Sequence, residues 1–206
     1  MKKGMFNETI ILENEFVLLR PLLEDDLQHL QHFIIEEPEI WKFSLVQMTA
    51  VENLKNYIEQ AIENRKQGKE YPFIVFDKKK KEYAGCTRFY DIQLAYQYLQ
   101  LGYTWYGKGF QGTYVNKNCK LLLLEFAFEK LGMERVEFRA DNRNERSKLA
   151  MQSIGCVVEG VLRNHLPKIE GGRRASIVLS ILKEEWLGGV KQNLTNKINE
   201  NDKFRL

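Results

Sequence analysis

The stretch with the most chemical content runs from Trp105 to Lys120. An alternating, strand-like run leads into Gly107-Lys108-Gly109-Phe110-Gln111-Gly112-Thr113, and an apolar helical pattern follows. Glycine tolerates positive φ and lets backbone approach a ligand closely. The first amides of a helix have no partner within it, and the helix dipole favours negative charge there. A glycine-containing loop that opens into a helix is therefore an anion site, with a phosphate or pyrophosphate as the expected guest. Gly107, Gly109 and Gly112 also match Gly-x-Gly-x-x-Gly, the dinucleotide fingerprint. The context speaks against NAD. That fold asks for a buried parallel strand before the loop and an acid about 20 residues on. Here the strand alternates, and the acid at the end of the next strand, Asp141, lies further along.

Other residues capable of chemistry are scattered. Asn144 and Ser147 open a short helical pattern, His165 stands alone, and Glu36, Glu37, Glu39 and Trp41 cluster in one connection. His29 and His32 share a helical face at i, i+3, but zinc needs more ligands and no third is evident nearby, so no metal is expected. Cys86, Cys119 and Cys156 form no Cys-x-x-Cys pair, which reads as three small buried hydrophobes in a reducing, cytoplasmic protein.

These residues must be positioned by regular elements. Residues 16–20 read as a strand closed by Pro21. A helix follows over 23–35, with Asp25 and Asp26 early in it, as helix starts prefer, and it breaks at Pro38. Thr49 can cap the next helix, whose Val51, Leu54, Ile58, Ala61 and Ile62 recur at helical spacing until Gly68. Residues 71–76 and 83–92 read as strands of a hairpin, and 99–105 as a strand with one wetter face. Val115, Cys119, Leu122, Leu123 and Phe126 share a helical face that Gly132 ends. A strand over 135–140, a helix from Asn144 to Gly155, and strands over 156–162 and 176–182 complete the order β-α-α-β-β-β-α-β-α-β-β. The helix after Trp105 is a crossover, so 135–140 should run parallel to 99–105. The expected fold is a mixed α/β one, with a mostly antiparallel sheet of about seven strands and helices on both faces. One domain is expected over 1–190, with 191–206 a polar weak helix or tail, and 176–182 as an outer strand able to pair in a homodimer; a monomer is equally compatible.

The chain has 206 residues, 44% hydrophobic and 29% charged, the profile of a globular protein rather than a disordered one. No run approaches the ~20 apolar residues of a membrane span, and the basic start is not followed by a signal-peptide core. A net charge of +3 does not call for nucleic acid, and Lys78–Lys81 reads as a charged hairpin turn.

Gln111-Gly112-Thr113-Tyr114-Val115-Asn116 resembles the pyrophosphate loop of the GCN5-related N-acetyltransferase superfamily, Gln/Arg-x-x-Gly-x-Gly/Ala. The longer run to Phe128 is similar to the ribosomal-protein N-terminal acetyltransferase branch. So are Asn142–Ser147, Ile154-Gly155-Cys156, Glu159–Arg163, and Leu19-Arg20-Pro21 with its Asp pair. The resemblance covers roughly residues 10–187. Tyr114 and Asn116 depart from it, replacing two small residues.

The resemblance implies acetyl-CoA as cosubstrate and direct acetyl transfer to an amine. The cofactor would be bound by Trp105, Tyr106, Gln111, Gly112, Thr113, Tyr114, Val115, Asn116, Asn144 and Ser147. It also implies that strands 99–105 and 135–140 splay around the pantetheine arm. Ser147 would protonate the departing thiolate, and an amide near Trp105 or Tyr106 would stabilise the oxyanion. His165, Asp91 or water could serve as base. With no carboxylate on strand 98–106, an N-terminal α-amine suits the site better than a lysine, because more of it is neutral at pH 7. Glu37 and Trp41 would face the acceptor. The rival expectation is a non-catalytic CoA-binding or protein-binding module on the same fold.

Overall fold

The computed structural model describes residue 6 and residues 8–203, with side chains as far as residue 200. Eight strands form one sheet: β1 (Leu12–Glu13), β2 (Val17–Pro21), β3 (Glu70–Asp77), β4 (Glu82–Gln93), β5 (Tyr98–Tyr106), β6 (Arg135–Asp141), β7 (Val157–Pro167) and β8 (Arg173–Leu182). Their spatial order is β1-β2-β3-β4-β5-β6-β8-β7. Every neighbouring pair is antiparallel except β5–β6, which is parallel as the crossover requires. The extra strand is β1, two residues long and too short to carry a period-2 signal.

The outer strand is not 176–182. β8 lies between β6 and β7 and pairs with both, and its Ile177, Val178, Leu179 and Ile181 are all buried. Burial at adjacent positions 177–179 is what a strand covered on both faces shows. The edge is β7, where Val157, Val158, Val161 and Leu162 are exposed.

The helix expected over 23–35 is interrupted. After one tight turn at Glu24–Asp26 come α1 (Leu27–Leu30) and α2 (His32–Glu36). The cause is Asp26. Its carboxylate takes two hydrogen bonds from Arg20, at 2.6 and 2.8 Å, and a third from the Leu23 amide at 2.8 Å. α3 (Val51–Lys66) starts from Ala50 rather than from a Thr49 cap, because Asn53 Oδ1 accepts the Ala50 amide at 3.0 Å. In α4 (Tyr114–Glu125), Thr113 Oγ1 caps the Val115 amide at 3.3 Å. In α5 (Glu145–Ser153), Asn144 Oδ1 caps the Ser147 amide at 3.1 Å. A short α6 (Lys183–Glu185) precedes α7 (Lys191–Lys203).

The polar C-terminal stretch is thus a docked helix and not a tail. Leu194 and Ile198, one helical turn apart, are buried in the core, α7 packs on α4, and Lys191 pairs with Glu125 and Glu129. Two apolar anchors on one face are enough to seat it, though its composition reads as solvated.

Adjacent strand residues point to opposite faces, which places the helices. Arg88 lies 4.4 Å from the ring centroid of Tyr57 on α3. Its neighbour Phe89 stacks at 6.2 Å on Phe126, just beyond α4. α3 therefore covers one face of the sheet and α4 the other. No helix among the described residues is long and apolar enough to cross a membrane.

Candidate active site

β5 and β6 pair only at Tyr98–Arg135, Leu99–Val136 and Gln100–Glu137. Beyond that point they part, so one backbone edge of β5 from Leu101 to Tyr106 has no strand beside it among the described residues. A cavity of about 500 Å³ opens in the gap. Trp41 and Tyr57 line it from the α3 face, and Lys120 and Met151 from the α4 side. The cavity therefore passes through the sheet, and two ligands could meet in it from opposite faces.

The local backbone around the gap is irregular. The β4–β5 register shifts between Cys86 and Arg88 and again between Tyr90 and Gln93. Tyr103 holds φ of 48° and Asp91 φ of 46°. Bulges of this kind re-aim side chains beside functional sites. Here Tyr103, Tyr90 and Trp105 all face the cavity, with Trp105 packed 4.6 Å from Trp41.

Of the residues singled out from the sequence, Trp41, Trp105, Tyr106, Gln111, Gly112, Asn116, Asn144, Ser147 and His165 line this cavity. The fold brings them together from five separate elements. Four others point elsewhere. Val115 is fully buried in the core. Thr113 is occupied as the α4 cap, its hydroxyl also donating to Phe110 O at 2.7 Å. Tyr114 stands in helical backbone, and its hydroxyl lies 2.8 Å from both carboxylate oxygens of Asp77. Its bulk therefore sits away from the cavity mouth without strain. Glu37 does not face the cavity either. Its Oε2 accepts the Lys108 amide at 2.7 Å, and Glu39 pairs with the Lys108 ammonium. Those acids tether the glycine loop and leave the acceptor side to aromatic groups.

The loop is held from several sides. Gly107 donates to Ala84 O at 3.0 Å, and a Cβ there would fall 2.1 Å from Phe33. Gln111 Nε2 donates to Tyr106 O at 2.7 Å. Lys80, from the basic hairpin turn, donates to Gly109 O at 2.9 Å. That turn thus adds positive charge beside the α4 N-terminus. Arg146 reaches from α5 to Gln111 Oε1 across the mouth of the gap, so two cations flank the helix start. Sequence reasoning missed Arg146, whose only signal was its place in the first turn of the Asn144 helix.

His165 Nδ1 lies 3.0 Å from Ser176 Oγ. Burial and the guanidinium groups of Arg139, Arg174 and Arg173 push its pKa below the ordinary histidine range. Asp91, the other base candidate, is not among the cavity residues. Its carboxylate takes hydrogen bonds from Gln93 at 2.9 Å and Gln100 at 2.8 Å. His29 stacks on Tyr83 and His32 packs on Phe33. The three thiols are buried, and burial raises the pKa of each. Sequence reasoning also missed Lys120, a buried ammonium in the gap.

The family model described as an acetyltransferase (GNAT) domain matches residues 17–157. Among curated proteins, the chain is 30% identical over 104 residues to the "Putative ribosomal N-acetyltransferase YdaF" of Bacillus subtilis (strain 168). That match spans 50% of this chain and only 56% of the relative. Among solved structures, a "putative acetyltransferase" from T. thermophilus superposes with a TM-score of 0.81 at 34% identity, covering 91% of this chain and 96% of the other. Mycobacterium smegmatis RimJ, solved in complex with CoA-disulfide, has a TM-score of 0.78 over 96% and 97% of the two chains. At 17% identity that likeness is one of fold alone.

Proposed function

The chain belongs to the acetyltransferase (GNAT) domain family, and from that membership we propose that it moves the acetyl group of acetyl-CoA directly onto a primary amine in the gap between β5 and β6. The observation that carries this reading is the through-sheet cavity. It joins a cation-flanked helix N-terminus on one side to an aromatic pocket on the other.

In this reading the amides around Gln111, Gly112 and Asn116 receive the pyrophosphate, with Arg146 and Lys80 adding positive charge. The unpaired edge of β5 between Leu101 and Tyr106 offers amides and carbonyls to the pantetheine arm. An amide near Trp105 or Tyr106 stabilises the developing oxyanion. Ser147, presented by the Asn144 cap, donates a proton to the departing thiolate. Trp41 and Trp105 wall the acceptor side, and His165 takes the amine's proton.

The preferred acceptor is a peptide N-terminus or a small amine of similar basicity. An α-amino group titrates near 8, so about a tenth is neutral at pH 7, whereas a lysine near 10.4 is neutral at well below ~0.1%. A single weak base is enough for the first and poorly matched to the second. The name of the Bacillus subtilis relative, a ribosomal N-acetyltransferase, is compatible with a protein acceptor.

Acetyl-CoA at about 100 times its Kd should stabilise the protein by roughly 2.7 kcal/mol, a Tm rise of about 5–11 °C at this size. The same assay with NAD should give no rise. If NAD alone raises Tm, the glycine loop is a dinucleotide site and the reading fails. A panel of amines, with release of CoA followed, then separates the enzyme from a non-catalytic CoA-binding module. The observation favouring the module is that the cavity carboxylate Asp141 is taken up by Arg143, at 2.8 and 3.0 Å.

The pH profile tests His165. Its pKa in the fold lies below the histidine norm, so the base is neutral and active at pH 7, and activity is lost only as pH falls through a value below ~6.5. His165→Ala should lower kcat/KM about 100-fold and remove that acid limb. A variant as active as the parent, with the same limb, would transfer the role to water.

A further inference from the structure

α4 carries a lysine where its buried stripe calls for an apolar side chain. Lys120 is only 5% exposed and stands between Cys119 and the run Leu121–Leu124. Its Nζ donates to Thr104 Oγ1 at 2.8 Å and to Thr87 Oγ1 at 3.4 Å. It also lies 5.9 Å from the ring centroid of Phe138. Thr104 is on β5 and Phe138 on β6, so the amine sits between the two strands where they part, and Lys120 lines the cavity there.

No carboxylate among the described residues lies within ion-pair distance of this amine. The titratable groups around it are the thiols of Cys119 on its own helix and of Cys156 before β7, with the Tyr106 hydroxyl of β5 against Cys119. All three are neutral at pH 7, because burial raises their pKa values, that of Cys119 to about 12. A lysine buried without a counter-ion has its charged form disfavoured, and burial brings Lys120 down to about 8. A threonine hydroxyl can accept from the ammonium or, after rotation, donate to the neutral amine. The pocket thus accommodates both forms.

We propose that Lys120 is itself a modification site, acetylated by the acetyl-CoA bound in the gap when no acceptor amine is present. The neutral Nζ attacks the thioester carbon and an N–C bond forms. The C–S bond breaks, and the proton released by the nitrogen ends on the departing thiolate. The product is a neutral amide lodged between β5 and β6, where the pantetheine arm must lie, so the modification weakens cofactor binding and shuts off idle protein. This inference rests on the acetyl-CoA reading above.

The test uses the full chain, isotopically labelled acetyl-CoA and no added amine, with labelled lysines mapped by peptide mass spectrometry. Lys66, whose side chain is 67% exposed, serves as the internal reference for uncatalysed acetylation. At pH 7 a lysine titrating near 8 has on the order of a hundredfold more neutral amine than one near 10.4. Lys120 should therefore gain label at least tenfold faster than Lys66. An excess of unacetylated CoA should suppress label at Lys120 and not at Lys66, and Lys120→Arg should abolish it. Should that variant fail to fold, the CoA-protection arm decides on the parent protein alone. Equal labelling of the two lysines, or no protection by CoA, overturns the proposal if acetyl-CoA still raises Tm, and leaves the cofactor reading standing. Absence of any Tm rise removes both.

Discussion

Replacing Gly112 with valine should weaken acetyl-CoA binding by about ten- to a hundredfold while lowering the Tm of the unliganded protein by only a few degrees. Gly112 has φ of 70° and lines the cavity immediately before the Thr113 cap. A Cβ built there meets nothing within 4 Å, so the added bulk has no protein atom to displace. The cost to the unliganded fold is confined to left-handed backbone strain, about 1–2 kcal/mol, or roughly 2–8 °C at this size. The cost to binding is separate. The new methyls occupy open space at the helix start, where the proposal seats the pyrophosphate, and any relaxation of φ disturbs the amides aimed there. Losing one hydrogen bond to a charged group is worth about 1.5–3 kcal/mol, which is ten- to a hundredfold in Kd. Titration calorimetry reads Kd and scanning calorimetry reads Tm. An unchanged Kd in a folded variant would remove this loop from the cofactor site.

Gly85→Ala should do the opposite and damage the fold first. Gly85 has φ of 146°, and a Cβ there would lie 2.1 Å from Trp105 O and 2.9 Å from Tyr106 Cα. Both are backbone atoms of the paired strand β5, and Gly85 is in register with Tyr106. No side chain can swing aside, so the β4–β5 ladder must open. Backbone strain of about 1–3 kcal/mol and overpacking of about 1–3 kcal/mol together suggest roughly 2–6 kcal/mol. That corresponds to a fall in Tm of about 4–24 °C. Because the displaced residues are Trp105 and Tyr106, the surviving folded fraction should also bind acetyl-CoA poorly. A variant within about 2 °C of the parent would show that the strands relax around the new methyl. The two glycines are alike as residues, and only their surroundings set one in open space at the cavity and the other against the backbone of β5.

The same contrast runs through the rest of the molecule. Strands β3 and β4 were legible as apolar runs joined by a charged turn, and β5 by its alternation. The parallel placement of β6 followed from the crossover helix alone. The Asn144 cap was legible from residue type, since it is satisfied within three residues, whereas the Thr113 cap emerged only in the structure. The tight turn ahead of α1 was hidden, because Asp26 is claimed by Arg20 and a local pattern does not register a partner on a neighbouring strand. The position of β8 inside the sheet was hidden for a similar reason. Its apolar run is compatible with any two-sided burial, and pairing with β6 and β7 is a long-range choice. In α7 two buried residues, Leu194 and Ile198, decide between helix and tail against a polar majority.

Sequence by itself determined the chemistry of the loop. Its glycines and the helix start that follows supply the local backbone geometry an anion site needs, and the family motifs lie in that same local run. Tertiary structure decided which side chains share the site. It turned Tyr114 toward Asp77 and Glu37 toward the Lys108 amide. It also brought Arg146 over the gap and set Lys120 between β5 and β6. The physical reason is range. Capping and φ preferences act over three or four residues, but the splay of two strands, and the burial that lowers the pKa of a lysine within it, exist only once chain segments far apart in sequence have packed together.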